Sequence, residues 1–200
     1  MSETIVYEVY SGLYLNITNR CPCDCTFCLR NEADGVTGGE SLWLDHEPST
    51  EEIKQALDRV DLSNYEEAVF CGYGEPCVRL DELLYAAKLI KDKVPLPIRL
   101  NTNGLADLIH GKKTAPLLAQ CIDRVSVSLN APDRETYNAM CRPSFGEGAF
   151  DAIIRFAVDC KALIPDVNFT VVDVLSMDEL RRCRELCDSL GIRLRVRRFG

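Results

Sequence analysis

The chain of 200 residues is 46% hydrophobic and 27% charged, which is typical of a globular domain large enough to bury a full core. Its formal net charge of −8 disfavours general binding to nucleic acids or to anionic membranes, because both need an excess of positive charge. The first residues do not resemble a signal peptide, and no apolar run reaches the length of a membrane span. With eleven cysteines and no secretion signal, we expect a cytoplasmic protein whose thiols are reduced.

Six short apolar segments alternate with amphipathic segments along the chain. We predict strands at residues 13–18, 68–71, 98–102, 124–129, 167–172 and 192–196. We predict helices that begin near residue 50, cover about 80–90, lie around 115–121 and 150–157, and run from 176 to 190. The glycine-rich segment 31–47 is predicted to be a flexible loop. No linker or low-complexity segment divides this pattern, so residues 1–200 are expected to form a single domain.

The alternation of strands and helices predicts parallel βαβ units in an α/β fold. Strands of a parallel sheet that is covered on both faces usually read as continuous apolar runs. Here the fourth predicted strand alternates apolar residues with Ser126 and Ser128, and the sixth alternates them with Arg193, Arg195 and Arg197. One face of the sheet therefore contacts helices while the other faces a polar space. This pattern favours a partial barrel with a polar lumen over an open sheet between two layers of helices.

Four thiols lie within the segment Cys21-Pro22-Cys23-Asp24-Cys25-Thr26-Phe27-Cys28, which follows the first predicted strand. Cys21, Cys25 and Cys28 have the spacing C-x3-C-x2-C, which lets a short loop direct three thiolates to one soft metal centre. Three ligands and an open position are typical of a reactive site. A small zinc knuckle is the alternative, and Cys23 could replace one of the three ligands.

The loop resembles the signature of the radical S-adenosylmethionine (radical SAM) enzymes, including Phe27 before the last cysteine. The resemblance implies a (β/α)6 partial TIM barrel over nearly the whole chain, a [4Fe–4S] cluster on Cys21, Cys25 and Cys28, and SAM chelated to the fourth iron. It also implies reductive cleavage of SAM to a 5′-deoxyadenosyl radical, which abstracts hydrogen from a substrate that the sequence does not identify. The implied electron donor is a flavodoxin or a ferredoxin.

The segment after the second predicted strand, Cys71-Gly72-Tyr73-Gly74-Glu75-Pro76, resembles the family's Gly-Gly-Glu-Pro motif, which contacts the amino group of SAM. Tyr73 stands where the first glycine of the motif is usual. Gly74 would let the backbone approach a ligand closely, and Glu75 could accept a hydrogen bond from an ammonium group. The alternative is an ordinary turn in which Glu75 caps the next helix.

Two further segments at strand ends resemble the branch of the family that includes the molybdenum-cofactor enzyme. Thr102 and Asn103 match its Thr-Asn-Gly element, and Ser128 and Asn130 match its Ser-Leu-Asn segment. The resemblance implies that Thr102 and Ser128 contact SAM, with Asn103 and Asn130 beside them. An Asx turn closed by glycine is the alternative for Asn103. The carboxyl ends of parallel strands meet at one edge, so we expect these residues to lie near the cysteine loop.

A closer resemblance is to radical SAM proteins that are linked to TatD-family hydrolases, which share the run Cys-Pro-Cys-Asp-Cys-Thr-Phe-Cys. It implies a TatD-family hydrolase as a candidate partner. A non-catalytic iron–sulfur or zinc module that binds such a partner is the alternative function.

The remaining cysteines and the arginines of the sixth predicted strand allow further predictions. Cys121, Cys160, Cys183 and Cys187 are predicted to be core thiols, whereas Cys77 and Cys141 are in strand-end loops and could reach the active site. Arg193, Arg195 and Arg197 either protect an exposed edge strand from aggregation or point into the lumen. In the lumen, Arg197 would bind a carboxylate or phosphate of SAM or of the substrate.

Overall fold

The computed structural model describes residues 4–31 and 41–198. Seven strands form one sheet: β1 Val6–Val9, β2 Gly12–Leu15, β3 Glu67–Phe70, β4 Ile98–Thr102, β5 Arg124–Ser128, β6 Asp166–Val172 and β7 Arg193–Arg197. The α-helices are α1 Thr50–Asp58, α2 Leu80–Lys93, α3 Ala106–His110, α4 Ala115–Leu118, α5 Arg134–Cys141, α6 Ala149–Lys161 and α7 Met177–Leu190. No helix in these two ranges is long and apolar enough to cross a bilayer.

The strands lie in the order β1-β2-β3-β4-β5-β6-β7. The pairs from β2 to β7 are all parallel, and each crossover between them carries at least one helix. In the described part of the chain the sheet is open, with β1 and β7 at its edges. The predicted α/β fold with six parallel strands, a (β/α)6 partial barrel of the TIM type, is confirmed.

Strand β1, which pairs antiparallel with β2, was missed by the prediction from sequence. Val9 pairs with Gly12, so Tyr10 and Ser11 form a two-residue hairpin turn, in which Tyr10 has a positive φ of 53°. Such turns are usually marked by Asn-Gly or Asp-Gly, so Tyr-Ser gave no recognisable signal. The first predicted strand was also too long, because β2 ends at Leu15 and residues 16–18 already belong to the loop that leads to the cysteines.

The helices differ from the prediction mainly in the loops that follow β4 and β5. Helices α3 and α5 were not predicted, and the predicted helix at 115–121 is the single turn α4. The prediction near residue 50 is confirmed, with Ser49 and Glu52 forming a reciprocal capping box at the start of α1.

The hydrophobic core lies between the sheet and the helices. Leu13, Phe70, Leu100 and Val125 point from the strands into this layer and are fully buried. The predicted core thiols Cys160, Cys183 and Cys187 are buried there too, which confirms their packing role, whereas Cys121 is only half-buried. Residues on the other face of each strand are consequently left to line the lumen.

The inner face of the sheet is polar, as the alternation predicted. Residues that are paired across neighbouring strands point to the same face of the sheet. Three rows of paired residues lie on the inner face: Tyr14, Val69 and Arg99; Asn101, Ser126, Asn168 and Arg193; Ser128, Thr170 and Arg195. At the amino end of the strands, ion pairs of Arg99 with Glu67 (2.6 Å) and of Arg193 with Asp166 (2.5 Å) line a cavity of about 630 Å³.

Candidate functional site

The cysteine loop lies at the carboxyl edge of the sheet and is held by the end of α5. The backbone N–H of Asp24 donates to the Cys141 carbonyl (3.1 Å), and that of Thr26 donates to the Met140 carbonyl (2.9 Å). The Ser144 N–H donates back to the Pro22 carbonyl (2.8 Å). Three backbone hydrogen bonds therefore position the loop against a helix that the sequence did not predict.

The four thiols of the loop fall into two classes by exposure. Cys21, Cys25 and Cys28 are half-buried, whereas Cys23 is only 5% exposed. Hydrogen bonding with the Cys141 thiol, and then with Cys23, lowers the pKa of the Cys25 thiol to about 4. Burial raises the pKa of the Cys28 thiol. The three thiols that the spacing selected are thus the three that remain accessible to a ligand.

No group of three or more His, Cys, Asp or Glu side chains within residues 4–31 and 41–198 already converges as a metal site. The donor set nevertheless fits an iron–sulfur cluster, because three accessible thiols on a short loop can close around it. Phe27 is half-buried and packs against the hydrophobic core, which anchors the end of the cysteine loop there.

Glu75 links the loops that follow β3 and β4. Its side chain is 3% exposed and accepts hydrogen bonds from three protein donors: the Thr102 hydroxyl (2.7 Å), the Asn103 N–H (2.6 Å) and the Cys77 N–H (3.0 Å). Burial raises the pKa of this carboxyl, and the three hydrogen bonds oppose that shift. The capping alternative is therefore seen in the structure, because Glu75 caps the 3-10 helix Pro76–Arg79. The Cys77 side chain also hydrogen-bonds this carboxyl, so its roughly four acceptor positions are largely used within the protein.

Gly74 packs against the backbone of the segment that enters the cysteine loop. A Cβ atom at this position would lie 2.3 Å from the Thr18 carbonyl oxygen and 2.7 Å from that of Arg20. The Glu75 N–H donates to the same Arg20 carbonyl (2.8 Å). Only glycine allows this approach, which couples the Gly-Glu-Pro turn to the start of the cysteine loop.

The part of the predicted flexible loop that the structure describes, residues 41–47, is firmly held. The Asn16 and Asn19 amides donate to the carbonyls of Leu42 and Leu44 at 2.7 Å each. The Glu47 carboxylate accepts hydrogen bonds from the Thr18 hydroxyl (2.5 Å) and from Arg20 (2.6 and 3.0 Å). The loop prediction is confirmed for 41–47, which contain no helix or strand, but these long-range polar contacts had no local sequence signal. Residues 32–40 lie outside the described part.

Other predicted site residues lie at the same edge, each in a different environment. The buried Tyr73 ring makes an edge-on contact with the Trp43 ring, with centroids 5.1 Å apart. Asn130 is buried with a left-handed φ of 59°, and its Oδ1 has no hydrogen-bond partner in the described structure. Ser128 is half-buried on the inner face of β5. The orphan amide oxygen of Asn130 suits a ligand that donates a hydrogen bond.

Cys77 and Cys141, for which an active-site role was one alternative, are both buried, with 1% or less of their surface exposed. The Cys141 sulfur accepts from the Asn130 amide (3.7 Å), and the Cys141 carbonyl accepts from the Cys25 thiol of the cysteine loop (3.8 Å). Neither thiol is open to a substrate in this conformation.

Arg197 lies at the carboxyl end of β7, on the inner face with Arg195. The residue is exposed to solvent, and partial desolvation of its guanidinium by the sheet lowers the pKa, which Cys71 opposes and Arg195 reinforces. No ion pair of Arg195 or Arg197 with another described residue is seen, in contrast to Arg193. Within the described residues β7 is also an edge strand, as the edge-protection interpretation requires.

Comparison with known proteins identifies the family. The model of the Radical SAM superfamily matches residues 15–187. The chain belongs to the Radical SAM superfamily. This is a family of enzymes that use a [4Fe–4S] cluster and SAM, as the resemblance of the cysteine loop implied.

Relatives with the same name recur among the curated proteins. The chain is 33% identical over 138 residues to the GTP 3′,8-cyclase of Paenarthrobacter nicotinovorans, covering 68% of this chain and 36% of that protein. It is 29% identical over 188 residues to the probable GTP 3′,8-cyclase of Saccharolobus islandicus (strain L.S.2.15 / Lassen #1), covering 90% of this chain and 54% of that protein. The chain thus spans only about a third to a half of these relatives.

Solved structures support the fold. One of methylornithine synthase (PylB) superposes with a TM-score of 0.65 at 15% identity, over 94% of this chain and 53% of that one. One of native anSMEcpe with bound AdoMet superposes with a TM-score of 0.62 at 16% identity, over 94% and 50%. The similarity to the molybdenum-cofactor branch agrees with the cyclase relatives, whereas the link to TatD-family hydrolases is not supported.

Proposed function

We propose that the protein is a radical SAM enzyme that reductively cleaves SAM at a [4Fe–4S] cluster held by Cys21, Cys25 and Cys28. The observation that carries this proposal is the position of three accessible thiols on a loop docked beside two other strand-end loops. One of these carries Gly74 and Glu75, and the other carries Asn103. When bound, the cluster supplies the electron that breaks the sulfur–C5′ bond of SAM, giving methionine and a hydrogen-abstracting radical.

The chain's own residues orient SAM in this proposal. Glu75 would bind the SAM amino group, as the resemblance implies, and the Gly74 turn brings the backbone beside the cysteine loop. Ser128 and Asn130 would contact the remainder of SAM, as the resemblance implies, and the orphan Asn130 oxygen could accept a hydrogen bond from it. Thr102 acts indirectly, because its hydroxyl is already used between Glu75 and the Gly104 N–H.

The decisive experiment is anaerobic reconstitution with iron and sulfide, followed by reduction with dithionite in the presence of SAM. We expect a cluster that survives gel filtration and 5′-deoxyadenosine in the products. Flavodoxin or ferredoxin should replace dithionite as the electron donor. A bound cluster without SAM cleavage would favour a non-catalytic iron–sulfur module, and stoichiometric zinc would favour a structural knuckle.

The substrate is sought in the same assay. Relatives at 27–33% identity are named GTP 3′,8-cyclases, so GTP is the first compound to add. Consumption of GTP together with 5′-deoxyadenosine formation would extend the relatives' activity to this chain.

Arg197 is proposed to bind a carboxylate or phosphate of SAM or of the substrate. Arg197→Lys keeps the charge but loses the planar, bidentate guanidinium, so SAM cleavage or turnover should fall about tenfold while solubility is unchanged. Arg193→Lys is the matched control, since Arg193 lies on the same face but pairs with Asp166 at the amino end. If the arginines only protect the edge, Arg197→Lys will be fully active and Arg197→Val will aggregate.

A further inference from the structure

Two hydrogen bonds determine the orientation of the Asn103 side chain. Its N–H donates to the Glu75 carboxylate (2.6 Å), which holds the residue against the Gly-Glu-Pro turn. Its side-chain Oδ1 accepts from the Leu105 N–H (2.9 Å), as in an Asx turn. Because Oδ1 is used in this way, the amide Nδ2 must point to the opposite side, away from the turn.

On that opposite side lie the thiols of the cysteine loop. Asn103 Nδ2 is 3.8 Å from Cys21 Sγ and 3.8 Å from Cys23 Sγ, a distance suited to an N–H···S hydrogen bond. The amide carries two hydrogens and can donate to both sulfurs at once. Cys21 is an accessible thiol and the proposed ligand, whereas Cys23 is buried behind it. The Asx turn that was the alternative for this residue therefore also aims a donor at the proposed cluster.

Hydrogen bonds to the sulfurs are one of the ways in which a protein adjusts the reduction potential of an iron–sulfur cluster. A donor stabilises the reduced cluster more than the oxidised one, because the reduced cluster carries more negative charge on its sulfurs. Removing a donor should therefore make the cluster harder to reduce. The Asn103 amide is neutral and is already held in place by two hydrogen bonds to the protein. It therefore needs little reorientation when the cluster is reduced.

We propose that Asn103 is a positioning residue for the cluster, which donates a hydrogen bond from Nδ2 to the Cys21 thiolate and thereby raises the reduction potential. This inference rests on the proposed function and assigns Asn103 to a cluster sulfur, where the family resemblance implied only a place beside SAM. The residue also connects the two halves of the site, since Glu75 holds its backbone while its side chain reaches the cysteine loop.

The test is a redox titration of the reconstituted protein without SAM, monitored by the EPR signal of the reduced cluster. Asn103→Ser is the informative variant, because its hydroxyl can still accept from the Leu105 N–H but cannot reach Cys21. We expect about a tenfold fall in the equilibrium constant for reduction, or about 59 mV for a one-electron couple. Iron content should stay near that of the wild type.

Two further variants separate the proposal from a purely structural role. Asn103→Asp keeps the turn, loses the donor and adds a negative charge, so its potential should fall further than that of Asn103→Ser. Asn101→Ser is the matched control, because Asn101 lies two residues earlier, on β4, and its amide oxygen accepts from Arg99. Its potential should equal that of the wild type.

Equal potentials in the wild type and in Asn103→Ser would overturn the inference alone, because the cluster would then be present and reducible. Failure of the wild type to bind a reducible cluster would overturn the proposed function, and the inference with it. If Asn103→Ser cannot be reconstituted, Asn103→Asp decides, and a wild-type potential in that variant contradicts the proposal.

Discussion

Replacing Cys21, Cys25 or Cys28 with alanine is expected to reduce the iron content of the reconstituted protein from about four atoms per chain to nearly none. Each replacement removes one of three thiolates, and two ligands do not hold a [4Fe–4S] cluster on a loop of this length. Iron and sulfide analysis, together with the EPR signal of the reduced cluster, measures the effect. SAM cleavage should be lost in parallel.

Cys23→Ala is the matched control for these three variants. Cys23 lies in the same loop but is buried, and its backbone forms a bridge with Pro143. Its replacement by alanine leaves that bridge in place and removes only one buried sulfur, so the cluster should be retained. Loss of the cluster in Cys23→Ala, with retention in Cys21→Ala, would contradict the ligand assignment.

Gly74→Ala is expected to destabilise the protein by at least about 1–3 kcal/mol and to lower the yield of reconstituted cluster severely. The new Cβ would lie 2.3 Å from the Thr18 carbonyl oxygen and 2.7 Å from that of Arg20. Both contacts are to backbone that leads directly into Cys21, so relief of the clash would displace the cysteine loop. Urea unfolding of the cluster-free protein measures the stability, and iron analysis measures the loading.

Gly148→Ala provides the comparison, since Gly148 has a helical φ of −75° and a Cβ added there would meet no other atom within 4 Å. That variant should be as stable as the wild type or slightly more stable, because alanine restricts the unfolded chain. Wild-type stability and iron content in Gly74→Ala would show that the turn can move away from the loop at little cost.

The parallel strands and the candidate cysteine ligands were accessible from sequence because both have local signals. Alternation at period two marks the inner and outer faces of β5 and β7, and the spacing of Cys21, Cys25 and Cys28 describes one short loop. Strand β1 has no such signal, because its hairpin turn is made by Tyr10 and Ser11, which are not typical turn residues.

The resemblance placed Glu75 and Thr102 against SAM, and the structure shows what else they contact. The Thr102 hydroxyl donates a hydrogen bond to the Glu75 carboxylate, so part of the hydrogen-bonding capacity of both side chains joins two loops. Gly74 was predicted to admit a ligand, but its lack of a side chain is already required by the Thr18 and Arg20 carbonyls. Such roles arise from contacts between segments far apart in the chain, which motif spacing does not encode.

The sequence by itself determined the family, the parallel α/β architecture and the three candidate ligands, since each depends on periodicity or spacing within a few residues. The tertiary structure decided which residues assemble the site: α5 holds the cysteine loop, Glu47 and two asparagines hold residues 41–47, and the Asn103 amide reaches Cys21. The physical reason is that hydrogen bonding and close packing depend on distance in space. Only the folded chain brings these donors, acceptors and carbonyls within about 3–4 Å of one another.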